Sequence, residues 1–516
     1  MVFNHTNYLQ FLVLLLLSGT AFSTIVKTLP GFSGDLPFTL ETGYTSVGDV
    51  EFFYYFVESE ENPAADPLLL YLNGGPGCSG LNGFLFQIGK LYISTLLLLP
   101  RLTKFSLTFS VLSSMHYIIL ASCVYVCVLG PLKFDRKNYT SGLPTLLYEP
   151  NSWAKATNIL FLDAPIGAGF SYATTLDAWN TTDTKHAQQV TTFLRNWLSN
   201  HTSFMANPVY IGTDSYAGIN APMIALDILD GNEAGDKPII NLKGLSLGCP
   251  HTDTDLETNA KIPFAHRMAL ITDELFEKAN KSCNGSYAVI APNNTECVEA
   301  IDAIDECVEM INRQNILEPD CALLSPEQAQ DQKIRRYLRE NTGNFIMQSP
   351  QTRDLYCHNL PYLLSVIWGN YESVQEALGV RPGTVKEFYR CNISLAYTVD
   401  INSAIPQHKE LTQKGLQLLV FSGDHDMVMP HNGIEEWIGY LDLSLDSDWR
   451  PWFIEGQVAG YTRKFDNSGY RLTYATIKAR KLLLYILILG AGHSPPEDKR
   501  KECYIMFHRW INYYPL

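Results

Sequence analysis

The sequence has no Cys-x-x-Cys and no His-x-x-x-His spacing, so none of its cysteines or histidines lies in a local zinc-binding arrangement, and neither a metal nor another cofactor is expected. Positive charge is also scarce. The chain carries 38 Lys and Arg against 53 Asp and Glu, a formal net charge of −15. That balance argues against a nucleic-acid partner and against an anionic membrane surface, and leaves a small-molecule ester or a peptide as the expected substrate. No internal repeat and no low-complexity linker occurs. The 46% hydrophobic content over 516 residues is enough for a large core, in one domain with an insertion or in two domains. These counts leave the oligomeric state open.

Residues 1–23 combine an apolar run from Phe11 to Leu17 with an Ala21-x-Ser23 ending, the pattern of a cleaved secretory signal, although the leading segment has no Lys or Arg. Entry into the secretory pathway, toward the vacuole or the cell exterior, fits two further features. Asn-x-Ser/Thr acceptor sites stand at Asn138, Asn180, Asn200, Asn280, Asn284, Asn293 and Asn392. The 11 cysteines suit a disulfide-bonded protein, and their odd number leaves at least one thiol unpaired.

One stretch lacks acids altogether. Residues 90–130 contain no Asp or Glu, and residues 105–132 are free of formal charge and long enough to cross a bilayer. A span there would place the two flanks on opposite sides of a membrane, so a membrane is a partner only if 105–132 spans one. The stretch reads better as a translated intron, because Gly89-Lys90-Leu91 and Val128-Leu129-Gly130 are encodable as splice-donor-like and acceptor-like strings. A shorter apolar patch at 479–489 similarly interrupts its surroundings.

Elsewhere, apolar β-rich runs ending in Gly, Asp or Ser ("DPLLLYLNGG", "NILFLDAP", "PVYIGTDS", "LQLLVFSGDHD", "RLTYATIK") alternate with helical patterns such as "HAQQVTTFLRNWLSN". Strands alternating with helices predict an α/β fold with a mostly parallel central sheet covered on both faces. Functional groups then gather at the carboxyl ends of the strands. From 249 to 402 the pattern turns helical and cysteine-rich, which predicts an inserted cap between a first core part, 24–248, and a second, 403–516.

Ser215 lies in "PVYIGTDSYAGINAP", where a strand-like run meets a helical one, the setting of a nucleophile elbow. The strict Gly-x-Ser-x-Gly pattern is not met, since Thr213 and Ala217 occupy the flanks. Acyl transfer by a serine also needs a base, an orienting acid and donors for the oxyanion. Asp424 and Asp426 follow at the end of "FSGDHD", then His493 in "GAGHSPPE". Serine, acid, histidine is the chain order of α/β-hydrolases. Singly, His493 reads as a surface histidine and either aspartate as a turn former; jointly, each at a strand end, they favour a triad. The glycines of "LNGGPGCSG" let a loop amide approach a ligand, and with the Tyr216 amide could form the oxyanion hole. This loop lacks the Lys-Ser/Thr ending of a phosphate-cradling loop.

The ordered motifs "LNGGPGCSG", "FLDAPIGAGFSYA", "YIGTDSYAG", "NAKIPFAHRMALITDELF", "FSGDHDMVMPH" and "GAGHSPPEDKRKECYIMFHRWI" resemble the plant serine carboxypeptidase-like family over about Leu29 to Leu516. The resemblance implies an α/β-hydrolase fold with Ser215 as nucleophile, His493 as base and Asp426 as its orienting acid. It implies backbone amides of Gly75 and Tyr216 as oxyanion donors, with Asn73 and Asp214 holding the substrate. Asp214, where peptide-cleaving members usually carry Glu, and "YTVDINSAIPQH" look closer to the sinapoylglucose-type acyltransferase branch, whereas Asn73 leans toward the peptidases. The expected reaction is therefore acyl transfer from a glucose ester to an alcohol. The alternatives are serine-type carboxypeptidase activity and a catalytically impaired secreted binding protein on the same fold. Thr213, Cys249 in place of the family's usual Asn, and the two apolar insertions, one of them beside His493, are departures that bear on activity.

Overall fold

The computed structural model describes residues 23–85, 129–136, 138–150, 152–318, 360–478, 480–481 and 488–516. Its organising feature follows from runs such as Leu68–Leu72, in which every residue is buried. A strand covered on both faces has no polar side to present, and alternate side chains serve two different cores. Leu69 and Tyr71 join one hydrophobic cluster, while Leu68, Leu70 and Leu72 join the other.

Central strands are β1 (Ser23–Val26), β2 (Leu40–Val47), β3 (Val50–Val57), β4 (Leu68–Leu72), β5 (Asn158–Leu162), β6 (Val209–Asp214), β7 (Leu242–Gly248), β8 (Gln417–Gly423), β9 (Ser444–Ile454), β10 (Gln457–Asn467) and β11 (Tyr470–Ile477). With Tyr172–Ala173 beside β3, they form a 12-stranded sheet among the described residues, ordered β1-β2-β3-β5-β4-β6-β7-β8-β11-β10-β9. The middle, β5-β4-β6-β7-β8-β11, is parallel throughout. Both flanks are antiparallel hairpins. The expected parallel sheet is thus the central six strands, and the antiparallel flanks make the whole sheet mixed. The hairpin flanks β2-β3 and β10-β11 need only short turns, whereas a parallel neighbour needs a crossover.

Helices α1 (Asp183–Asn200) and α2 (Asn220–Ala234) cover one face through Val190, Phe193, Trp197 and Ile224. The Thr182 hydroxyl caps α1 by accepting from the Lys185 amide, and Gly235, at φ 89°, ends α2 in the left-handed conformation that glycine adopts without strain. The opposite face is covered by the C-terminal helix Arg500–Ile511 and by Leu360–Gly369.

Between β7 and β8 the chain builds the cap, with α3 (Thr254–Arg267), α4 (Asp273–Ser282) and α5 (Thr295–Val308) around a separate small core that includes Met427. Cys283–Cys297 ties α4 to α5, and Cys78–Cys391 ties the glycine-rich loop to the far end of the cap.

Residues 1–22 and 86–128, which hold the signal reading and nearly all of the acid-free stretch, lie outside the described residues. No helix among the described residues is long and apolar enough to cross a membrane. The second apolar patch is partly described: Arg480–Lys481 pairs antiparallel with Ile488–Leu489. Such a hairpin leaves and re-enters the fold one strand spacing apart, about 4.8 Å. The chain thus resumes at Gly490 beside β8, where the His425 amide donates to the Ala491 carbonyl at 2.9 Å.

Candidate active site

Strand β6 ends at Asp214, and the next residue turns sharply into Ser215–Gly218, a single 3-10 turn leading to α2. Ser215 sits at φ 52°, a conformation that non-glycine residues rarely adopt and that lifts the hydroxyl out of the sheet. Thr213, one residue short of this turn, stays in the strand in register with Leu247 of β7 and Leu72 of β4. The crowding expected of its branched side chain is taken up inside the sheet, where Thr213 is buried and its hydroxyl has no hydrogen-bond partner among the described residues. The close approach falls instead at Gly218, where a Cβ would meet Pro250 at 2.5 Å.

Three carboxyl-end loops converge on this serine. The Nε2 of His493 lies 2.7 Å from the Ser215 hydroxyl, and its Nδ1 lies 2.8 Å from Oδ2 of Asp426. Asp426 is fully buried, and its other oxygen accepts from the amides of Val428 at 2.7 Å and Met429 at 3.1 Å. The carboxylate is thereby fixed facing the imidazole. Asp424, the other acid of the same turn, points away and holds the His425 ring at 2.6 Å.

Cap residues brace these loops. The backbone from Arg313 to Ile316 accepts from Met427 at 2.9 Å and from His493 at 2.6 Å, and donates to the His425 carbonyl at 3.2 Å. One segment thus splints the acid loop to the histidine loop.

Burial alone would push the His493 pKa down, but the charge of Asp426 and its hydrogen bond to the ring outweigh this, and the pKa lies above the ordinary value. The electrostatics favour an imidazolium, the species a general base becomes when it takes the serine proton.

The glycine-rich loop after β4 runs against the elbow. A Cβ on Gly74 would lie 2.8 Å from both the Ser215 Cβ and the Tyr216 nitrogen. The Tyr216 amide is in the first turn of its helix, where N–H groups have no intrahelical partner, and Gly75 follows at φ 124°. The fully buried Asp163 locks the loop by accepting from the Ser79 hydroxyl at 2.5 Å and the Gly80 amide at 2.7 Å. Burial raises its pKa to about 7 despite these bonds.

Asn73 donates to Oδ1 of Asp214 at 3.1 Å, and the Tyr71 hydroxyl reaches the same oxygen at 3.3 Å. Burial of the Asp214 carboxyl raises its pKa to about 6, against the lowering pull of His493 and Tyr71. Tyr216 is anchored by a residue the sequence reading passed over. Asp183 at the start of α1 accepts from the hydroxyls of Tyr216 at 2.8 Å and Tyr397 at 2.7 Å, and from the amides of Asp400 and Ile401. An acid at the first position of a helix is a common pattern, so nothing local marked it. Glu257 was missed likewise; it binds His251, whose amide donates to the Ser215 carbonyl at 2.9 Å.

Cys249, named above as a departure from the family pattern, is buried and unpaired, at φ 40° just past β7. Its sulfur, Asp426 and His493 bring one ligand atom each to within 4.8 Å of one another. No local spacing foreshadowed this grouping, because its members come from three separate loops. Among the acceptor asparagines, Asn138, Asn180, Asn200, Asn280, Asn284 and Asn293 are exposed. Asn392 is partly buried, and its amide nitrogen donates to the Gly167 carbonyl at 3.1 Å.

Comparison with known proteins agrees with this geometry. The sequence profile of the family described as serine carboxypeptidase matches residues 30–106 and 125–513. The gap falls inside the acid-free stretch. Serine carboxypeptidase-like 7 of Arabidopsis thaliana is 38% identical over 508 residues, covering 98% of this chain and 97% of the relative. Serine carboxypeptidase-like 19 of the same plant is 40% identical over 504 residues, covering 96% and 95%. Among solved structures, the prohormone-processing carboxypeptidase Kex1 of Saccharomyces cerevisiae superposes with a TM-score of 0.60 at 16% identity, over 92% of this chain and 91% of that one, a likeness of fold. The chain belongs to the serine carboxypeptidase family and is an enzyme of that carboxypeptidase-like or acyltransferase kind on an α/β-hydrolase fold.

Proposed function

We propose that the enzyme moves an acyl group from a glucose ester to an alcohol acceptor. Ser215 gives its proton to Nε2 of His493 and attacks the ester carbonyl. Asp426 holds the imidazole in the tautomer whose free nitrogen faces the serine. The oxyanion rests on the backbone amides of Gly75 and Tyr216, and the protonated imidazole hands its proton to the departing sugar. His493 then takes the proton of the acceptor alcohol, which attacks the acyl-serine, and returns that proton to the Ser215 oxygen as the new ester leaves.

The observation that carries this reading is the state of Asp214 beside the nucleophile. Its pKa of about 6 and the donors Asn73 and Tyr71 keep it an anion at neutral pH. An anion there accepts from sugar hydroxyls and repels a peptide's terminal carboxylate. Below about pH 6 the acid is neutral and can donate to a carboxylate, so the second reading, serine-type carboxypeptidase activity, is favoured there and by the amide of Asn73. Exposure of six acceptor asparagines supports glycosylation in the secretory pathway, toward the vacuole or the cell exterior. The test is incubation of the protein with a glucose ester plus an alcohol and, separately, with an N-blocked dipeptide, at pH 7 and pH 5. Ester formation without amino-acid release at pH 7 is expected. Amino-acid release alone at both values would establish the peptidase instead, and turnover of neither substrate would favour a binding protein on this scaffold.

A further inference from the structure

The thiol of Cys249 takes no part in the chemistry above, yet it is buried against the back of the triad. Its sulfur approaches the Gly492 carbonyl at 3.9 Å, next to His493, and shares a 4.8 Å cluster with Asp426 and the imidazole. Sulfur, nitrogen and carboxylate oxygen from three side chains form a donor set suited to a borderline-soft divalent cation. Metal–ligand bonds of roughly 2.0–2.3 Å place ligand atoms in a tetrahedral site roughly 3.3–3.8 Å apart, so modest side-chain rotation closes this cluster round one ion. Three protein ligands leave the fourth position of a tetrahedral ion for water.

We propose that Cys249, Asp426 and His493 form an inhibitory site for zinc or cadmium, a reading that rests on the triad assigned above. The ion enters between the thiol and the carboxylate. Cys249 loses its proton to water and becomes a thiolate ligand. The nitrogen of His493 on the Asp426 side is Nδ1, so coordination there requires the neutral ring to carry its proton on Nε2. From the neutral ring the proton is moved from Nδ1 to Nε2 through water, and from the imidazolium the Nδ1 proton is released to water. Nε2–H then faces the Ser215 hydroxyl and cannot accept its proton. The ion disables the base from behind and leaves the pocket in front of the serine open. Inhibition therefore lowers kcat and spares KM. An alanine or serine at position 249 removes one of three ligands and releases the enzyme from the metal.

The test titrates the full chain with cadmium chloride, and in parallel with zinc chloride. It follows the ultraviolet thiolate–cadmium band, the number of ions bound at equilibrium dialysis, and the ratio of fluorophosphonate labelling of Ser215 with metal to that without. The expected result is a labelling ratio below about 0.1, restored by chelator. Cys249→Ala and Cys249→Ser should each bind one ion fewer and label at a ratio near one. Because each protein is compared with itself, a change in basal reactivity does not affect the ratio. Equal ion counts in the parent and both variants overturn the site. A lost ion with an unchanged labelling ratio in the parent overturns the inhibition. If the parent protein is not labelled even without metal, the triad reading fails, while the band and the ion count still decide whether the metal site exists.

Discussion

Gly74 and Ser215 touch so closely that no side chain fits between them: a Cβ on Gly74 would lie 2.8 Å from the Cβ of Ser215. The same atom would press at 2.8 Å on the Asp214 carbonyl and the Tyr216 nitrogen. Since these are backbone or short side-chain atoms, they cannot swing aside. Gly74→Ala should therefore displace the elbow by several tenths of an ångström or more and slow fluorophosphonate labelling of Ser215 by about a hundredfold, the cost of a displacement near 1 Å. Labelling at the parent rate would show that the loop yields.

Asp214 is one of the groups that raise the pKa of His493, after Asp426. A base with a raised pKa is protonated to higher pH than free imidazole, and the rate falls in proportion to the neutral fraction that remains. Ser215 labelling should fall as pH drops through an inflection above the ordinary histidine value of about 6.5. Asp214→Asn removes one stabilising charge, so its inflection should move to lower pH. An unmoved or raised inflection contradicts this electrostatic account.

His186 in α1 is buried with no partner for either ring nitrogen among the described residues, and burial lowers its pKa to about 4. The folded protein keeps the ring neutral, whereas the unfolded chain takes up a proton once pH falls below about 6.5. The stability contributed by the neutral ring is fully present above that value and is lost as pH falls toward 4. The loss is about 3 kcal/mol. In thermal melts, His186→Leu should show a smaller fall in Tm between pH 7 and pH 4 than the parent. Equal falls would show that the ring is solvated.

Cys78 and Cys391 are 313 residues apart, and their bond holds the glycine-rich loop against the cap. Cross-linking so long a loop restricts the unfolded chain strongly. Cys391→Ser should cost about 2–5 kcal/mol. Denaturant midpoints of the parent and the variant measure it, and coincident midpoints would contradict it.

The parts of this fold legible in the sequence are those with short-range signatures. Apolar runs such as "LLLYL" announced doubly covered strands, and the chain order of a serine, an acid pair and a histidine pointed to side chains that the fold brings together. The antiparallel flanks were not legible, because β2-β3 and β9 to β11 alternate no more plainly than the central strands do. Asp183, Asp163 and Cys249 were missed as parts of the site for a common reason. The contacts that tie each to the site run to partners 33 to 243 residues away, which nothing beside it in sequence signals. The shared register of acid and histidine loops likewise depends on the cap segment at 313–316, which carries no motif. Choice between Asp424 and Asp426 was open from turn chemistry alone and is decided in space by which carboxylate faces the imidazole.

The account stands on proton transfer from a serine to an imidazole 278 residues further along the chain. Mass-spectrometric mapping of a fluorophosphonate adduct tests it most directly. The adduct should form on Ser215 of the parent protein, be absent from both Ser215→Ala and His493→Ala, and form about 10⁴-fold more slowly in Asp426→Asn, where the ring loses its tautomer control. Labelling of Ser215 that survives His493→Ala undiminished, or an adduct on another residue, would contradict it.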